Sequence, residues 1–200
     1  MQQGDPDVLG RIGGWLFTRR SWLPVPLALA LLLIRFREAP ASPVLWVAGA
    51  AIVGAGEALR LWAVHHIGVI SRTRSDRLGP LVSSGPFARV RNPLYLGNIA
   101  LWVGFAVSAR LLWLAPVVAI VLALEYHAIV RWEEGLLTAR RGDEYRAYLA
   151  RVPRWLPSFG AAPAAAPSES HAWRDTLFSE RGTLIAIAVG YVLLWIKSGL

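Results

Sequence analysis

Hydrophobic residues along this chain come in blocks rather than on a single periodic stripe. The stretches 22–34, 43–64, 94–109, 111–130 and 183–196 are almost free of charge, and arginine-rich polar segments separate them. A membrane-spanning helix needs roughly 20 predominantly apolar residues, with ~17 the usual lower limit. Stretches 43–64 and 111–130 meet that length alone, and the other three approach it once their interfacial flanks are counted. The pattern predicts an all-α, integral membrane fold with five membrane helices. Only residues 108–110 separate the third from the fourth, so these two must form a tight helical hairpin.

The polar segments predict the rest of the architecture. Segment 67–92 is too polar, and too broken by glycine and proline, to span a membrane. Segment 131–154 reads as one amphipathic helix, with Leu136, Leu137, Tyr145, Tyr148 and Leu149 opposite Arg140, Arg141, Asp143, Glu144 and Arg146. Pro153 and Pro157 end it, since proline lacks the N–H a helix interior needs. Together these segments form a cap on the cytosolic side. Residues 8–17 are amphipathic and expected along the interface. The expected divisions are N-terminal membrane helices over 1–66, a catalytic region over 67–159, and an Ala/Pro linker over 160–171. Residues 172–200 complete the chain as a surface segment followed by the last membrane helix.

Composition sharpens this picture. Of 200 residues 55% are hydrophobic, with mean hydropathy +0.44, against about 45–50% in soluble domains. The chain has no cysteine, which excludes disulfides, thiolate metal sites and cysteine nucleophiles. Its four histidines lack ligand spacing, so no metal is expected. The net charge of +8 first suggests nucleic acid, but the arginines lie between apolar blocks rather than along one soluble face. They fit the retention of basic residues on the cytoplasmic side instead. Arg11, Arg19 and Arg20 precede the first block, Arg89 and Arg91 the third, and Arg140, Arg141 and Arg146 follow the fourth. Only Arg35, Arg37, Arg110 and Lys197 fall on the other side. The N-terminus is thus expected in the cytoplasm of a bacterial inner membrane, with no nucleic-acid partner. Asp5, Asp7 and the lack of a small-residue cleavage site predict a retained first segment rather than a signal peptide.

Two clusters carry candidate chemistry. The first is G-P-F-A-R-V-R-N-P-L-Y-L-G-N over 85–98. Proline disfavours the helical region for Asn92 and itself suits the first turn, so Asn92 stands at a helix N-terminus. Free N–H groups there bind carboxylate or phosphate, although Asn-Pro is also an ordinary helix entry. The second cluster is R-W-E-E over 131–134, whose Glu133 and Glu134 the hairpin returns to the neighbourhood of Asn92 and Tyr95. Two carboxylates beside an anion-binding helix end suit a zwitterion; alternatively they are salt-bridged to Arg131, Arg140 or Arg141. Glu57 and Arg60 share a helix face inside the second block, as substrate-binding groups or as a tie between helices. Arg72 and Arg74 offer planar donors to a lipid phosphate, or simply form a basic loop.

The order G-P-F-x-x-V-R-N-P-x-Y-x-G, helical hairpin, E-E, G-D-E-Y-x-x-Y and R-V-P resembles the membrane methyltransferase superfamily. That superfamily includes isoprenylcysteine carboxyl methyltransferases and phospholipid N-methyltransferases, and the likeness runs from about 78 to 157. It implies an S-adenosylmethionine-dependent enzyme whose cofactor site needs no Rossmann unit. By the same resemblance Leu81 and Val82 line the adenine end and Phe87 lies near the cofactor. Asn92, Pro93, Leu94, Tyr95 and Glu133 hold the cofactor, and Glu134 and Arg151 belong to the catalytic set. Two positions depart from the family pattern. Asn92 replaces the usual histidine and cannot act as a charged base, and Phe87 replaces a tyrosine and loses its hydroxyl. The expected reaction is N-methylation of a phospholipid amine such as phosphatidylethanolamine. A prenylated cysteine carboxylate is the alternative acceptor, and a non-catalytic lipid-binding protein the alternative of another class.

Overall fold

The computed structural model describes residues 8–20, 22–68, 81–159 and 171–199. Among them there are helices and turns but no strand. In chain order the helices are α1 (Val8–Arg19), α2 (Pro24–Leu33), α3 (Pro43–Ile67), α4 (Pro93–Ser108), α5 (Leu114–Arg141), α6 (Asp143–Arg151) and α7 (Trp173–Gly199). A 3₁₀ turn, Gly85–Ala88, precedes α4.

Local chemistry sets the boundaries. Proline opens α2, α3 and α4, where its missing N–H costs nothing because the first-turn donors lack helical partners anyway. At the end of α4 the Arg110 N–H reaches the Val107 carbonyl and the Leu111 N–H reaches Ala106, with Arg110 at φ +63°. This is a Schellman closure with an arginine in the left-handed position usually taken by glycine. The strain is offset by the Arg110–Glu38 ion pair at 2.9 Å and by the bond from the Ala39 N–H to the Arg110 carbonyl. The expected tight hairpin of α4 and α5 is therefore present. Gly142, at φ +54° and ψ −123°, breaks the chain between α5 and α6, a conformation open to a residue without Cβ.

α3 and α4 are the most closely packed pair. A Cβ on Gly56 would lie 2.8 Å from the Gly97 carbonyl oxygen, and one on Gly104 would lie 2.7 Å from that of Gly49. Gly49 and Gly56 on one helix thus face Gly104 and Gly97 on the other, the small-residue contact by which helices associate when lipid is as apolar as their side chains. α1 lies against α5, with buried Gly10 and Gly13 on its inner face. The main core collects Leu31, Ala106, Leu111, Leu114, Val118, Leu122 and Ile129 around the hairpin.

Three helices, α3, α5 and α7, are long and apolar enough to cross a bilayer, and α1 with α2, bent by 68°, make a fourth if taken as one broken span. α4, at 16 residues, is shorter. Their outward faces are apolar: Val117, Ile120, Val121 and Leu124 on α5, and Ile185, Val189, Val192 and Trp195 on α7, are all exposed. Two expectations need correction. The amphipathic helix expected over 131–154 is the end of α5 plus the separate α6, because Gly142 interrupts it. The expected surface segment at 172–180 is the first part of α7, continuous with the span, because Thr176 and Glu180 are buried rather than solvated. Arg72, Arg74 and nearly all of the expected linker lie outside the described residues.

Candidate functional site

The site lies at the end of the bundle where α4 begins and α5 leaves the apolar core. Asn92 stands at the N-cap of α4 with Pro93 buried behind it, as expected. Its side chain makes no cap bond; Nδ2 donates instead to the Arg154 carbonyl at 3.1 Å. The neighbouring backbone is tied the same way. The Arg91 N–H donates to the Pro153 carbonyl and the Ser158 N–H to the Arg89 carbonyl, both at 2.9 Å. The segment before α4 and the segment after α6 are thus laced together without forming a strand.

Glu133 and Glu134 are adjacent in sequence and differ sharply in surroundings. Glu134 is buried, and Arg154 donates to both of its oxygens, at 3.2 and 2.6 Å. Arg91 approaches the same carboxylate at 3.0 Å. A doubly bonded guanidinium fixes direction as well as charge, so Glu134 clasps the two laced segments to α5. Glu133 is met by a neutral donor, the Tyr95 hydroxyl, at 3.0 Å. The Tyr95 ring stacks on Tyr126 with centroids 4.7 Å apart. Arg20, just after α1, lies close enough to act electrostatically on both Tyr95 and Glu133.

α6 closes the floor. Tyr145, Tyr148 and Val152 are buried together, with Leu81, Leu137 and Leu149 packed against them. The Tyr148 hydroxyl donates to the Phe87 carbonyl at 2.8 Å. Burial pushes both phenols well above the usual tyrosine range. The Glu134 charge adds to the effect at Tyr145, and at Tyr148 the neighbouring Tyr145 does so.

The structure brings together Phe87, Asn92, Pro93, Tyr95, Glu133 and Glu134, with Leu81 against the tyrosine floor. Val82 and Leu94 are half-buried beside them in sequence. Arg151 is not part of the cluster: it is exposed and bonds the Ala147 carbonyl one turn back on α6. The guanidinium that meets the carboxylates belongs to Arg154, which the expectation passed over. R-V-P-R offers both arginines, and nothing in it distinguishes the second from the first. Glu57 and Arg60 are both buried and paired at 3.2 Å. Arg60 also donates to Glu180 at 2.5 Å, to Thr183 at 3.1 Å, and to Asn98. It ties α3 to α4 and α7, the second of the two roles open to it from the sequence.

The donor set suits a zwitterionic group. A part-buried carboxylate whose one hydrogen-bond donor among the described residues is a phenol favours an incoming cation. Nearby, Arg91 Nε is buried without a hydrogen-bond partner among the described residues, next to the N-terminus of α4. That pair is disposed to take an anion. No group of three or more His, Cys, Asp or Glu side chains suited to a metal occurs among the described residues.

Residues 44–142, just under half of the chain, match the family model described as phospholipid methyltransferase. The matched segment carries α4, α5 and both glutamates, and the family it matches is the one that the motifs resemble. The chain is also similar to the nickel-cobalt-cadmium resistance protein NccN of Alcaligenes xylosoxydans xylosoxydans, 34% identical over 98 residues, 49% of this chain and 43% of that protein. It is 31% identical over 116 residues to the cobalt-zinc-cadmium resistance protein CzcN of Cupriavidus metallidurans, 58% of this chain and 50% of that one. The chain thus spans about half the length, or less, of the curated relatives it matches. No solved structure matches it.

Proposed function

With residues 44–142 taken as a phospholipid methyltransferase segment, we propose that this protein transfers a methyl group from S-adenosylmethionine to a membrane-embedded amphiphile, a phospholipid amine such as phosphatidylethanolamine. The observation that carries this reading is Glu133, held by the Tyr95 hydroxyl at 3.0 Å beside the α4 N-terminus. Glu133 and the Tyr95–Tyr126 rings receive the cationic part of the cofactor; Arg91 and the α4 N-terminus receive its carboxylate. Leu81, Val82, Phe87, Asn92, Pro93 and Leu94 complete the cofactor side. When bound, the sulfonium supplies an already activated methyl group. The protein's work is alignment and exclusion of water, which accounts for much of the acceleration in such transfers. No histidine base is needed for alignment, so Asn92 serves by fixing the Arg154 backbone; the acceptor ammonium gives its proton to water at the cytosolic face before the free amine enters. Glu134 acts by holding Arg154 and Arg91 in place.

The acceptor enters laterally from the bilayer, and arginines of the cytosolic face meet its phosphate. This places the N-terminus and the site on the cytosolic side, with α4 buried among the spans as a fifth, shorter segment. The metal-resistance names of the two relatives describe those proteins and supply no substrate here. Equilibrium binding of labelled S-adenosylmethionine to purified protein in nanodiscs tests the cofactor half of the proposal. Wild type should bind saturably and Glu133→Ala should not. Equal binding by both would overturn the assignment of Glu133, and no binding by wild type would overturn the methyltransferase reading.

A further inference from the structure

α7 lies wholly outside the segment that matches the methyltransferase family. Most of its surface is exposed, and its few buried residues include Thr176, Glu180 and Lys197, all polar. Apolar contact alone gives helices in lipid little preference for one another over the acyl chains, so polar contacts settle where such a helix docks. α7 has two sets of them. At its far end Lys197 donates to the Leu31 carbonyl at 2.8 Å and the Ile34 carbonyl at 2.7 Å, and pairs with Glu38 at 2.7 Å. At the site end Glu180 and Thr183 engage Arg60 at 2.5 and 3.1 Å. The two anchors are roughly 26 Å apart along the helix, close to the ~30 Å hydrocarbon thickness.

The site-end anchor does more than hold a helix. Arg60 also bonds the Asn98 side chain on α4, and Asn98 lies close enough to Tyr126 on α5 to act on its hydroxyl. Tyr126 stacks on Tyr95 at 4.7 Å, and the Tyr95 hydroxyl holds Glu133 at 3.0 Å. A series of neighbouring polar and aromatic groups therefore runs from α7 through α3 and α4 to the site carboxylate. We propose that α7 is a positioning element of the methyl-transfer site: Glu180 orients Arg60, and through Asn98 and Tyr126 sets the placement of Tyr95 and Glu133. This rests on the methyltransferase reading for its functional consequence, but the linkage is a property of the protein alone.

The test is a double-mutant cycle between Glu180→Gln and Tyr126→Phe, read both in S-adenosylmethionine affinity and in the thermal unfolding midpoint in detergent. Thr183→Val replaces Glu180→Gln if the latter fails to fold. Groups without shared partners contribute additively, whereas members of one network do not. Each single variant should weaken affinity roughly tenfold, and the double variant should be little worse than either. Lys197→Met, which removes only the far anchor, should add independently to Tyr126→Phe in both observables. Glu180→Asp, which keeps the charge, should recover most of the lost affinity. Additivity of Glu180→Gln with Tyr126→Phe in both observables, or equal coupling from Lys197→Met, would overturn the proposal. If wild type binds no cofactor the methyltransferase reading fails, and the unfolding cycle alone then decides for or against the linkage.

Discussion

Tyr95 and Glu133 meet through one hydrogen bond of 3.0 Å, so Tyr95→Phe removes a single donor and leaves the stack on Tyr126 in place. A bond to a charged group is worth about 1.5–3 kcal/mol, and affinity for the cofactor should fall by roughly ten- to a hundredfold in the binding assay. The two arginines near the end of α6 separate in the same way. Arg154→Lys keeps the charge and loses the paired bonds to Glu134, and should lower the unfolding midpoint and activity together. Arg151→Ala, at an exposed position, should stay within ~0.5 kcal/mol of wild type in stability. Equal effects of the two would contradict the clasp described for Glu134. The place of Asn92 at the start of α4 and the nearness of Glu133 to Tyr95 were legible in the sequence, because proline fixes the helix start and a short hairpin fixes the return. The exchange of Arg151 for Arg154 was not. It depends on the turn after Val152, which leaves the helix and points a later residue back at α5.

Among the elements, α3 and α4 depend on their glycines. A side chain on Gly97 would meet the Gly56 carbonyl oxygen at 2.7 Å, and one on Gly104 would meet Val53 Cγ2 at the same distance. Gly104→Val should therefore cost about 1–3 kcal/mol by forcing the helices apart, measured by thermal or detergent unfolding. Gly54→Val, at a position of α3 that faces open space, should cost far less. If the two were equivalent, the close packing of α3 on α4 would be wrong. The hairpin and the long apolar helices could be read from block lengths. The continuity of α7 could not. Its charged start resembles a solvated surface segment, and burial of Glu180 goes with its ion pair to Arg60, 120 positions away. Gly142 likewise reads as an ordinary small residue until its positive φ separates α5 from α6.

For the whole molecule, three long apolar helices with outward apolar faces form a frame that carries a polar site at one end. A soluble cofactor approaching that end and a lipid approaching from the side is the division of labour this frame suits. Cysteine scanning exploits the absence of native cysteines: a thiol at Ser158 should react with an impermeant reagent only from the cytosolic side, and one at Arg37 only from the other. The reverse pattern would invert the proposed orientation. The central claim, methyl transfer to a bilayer lipid, is tested most directly by incubating purified protein in nanodiscs with methyl-labelled S-adenosylmethionine and a bacterial lipid extract, then separating the lipids. Label in a product derived from phosphatidylethanolamine, and absent with Glu133→Ala, is the predicted result. Label in no lipid, under conditions where the wild-type protein binds the cofactor, would contradict phospholipid methylation and direct the search to a prenylated cysteine carboxylate.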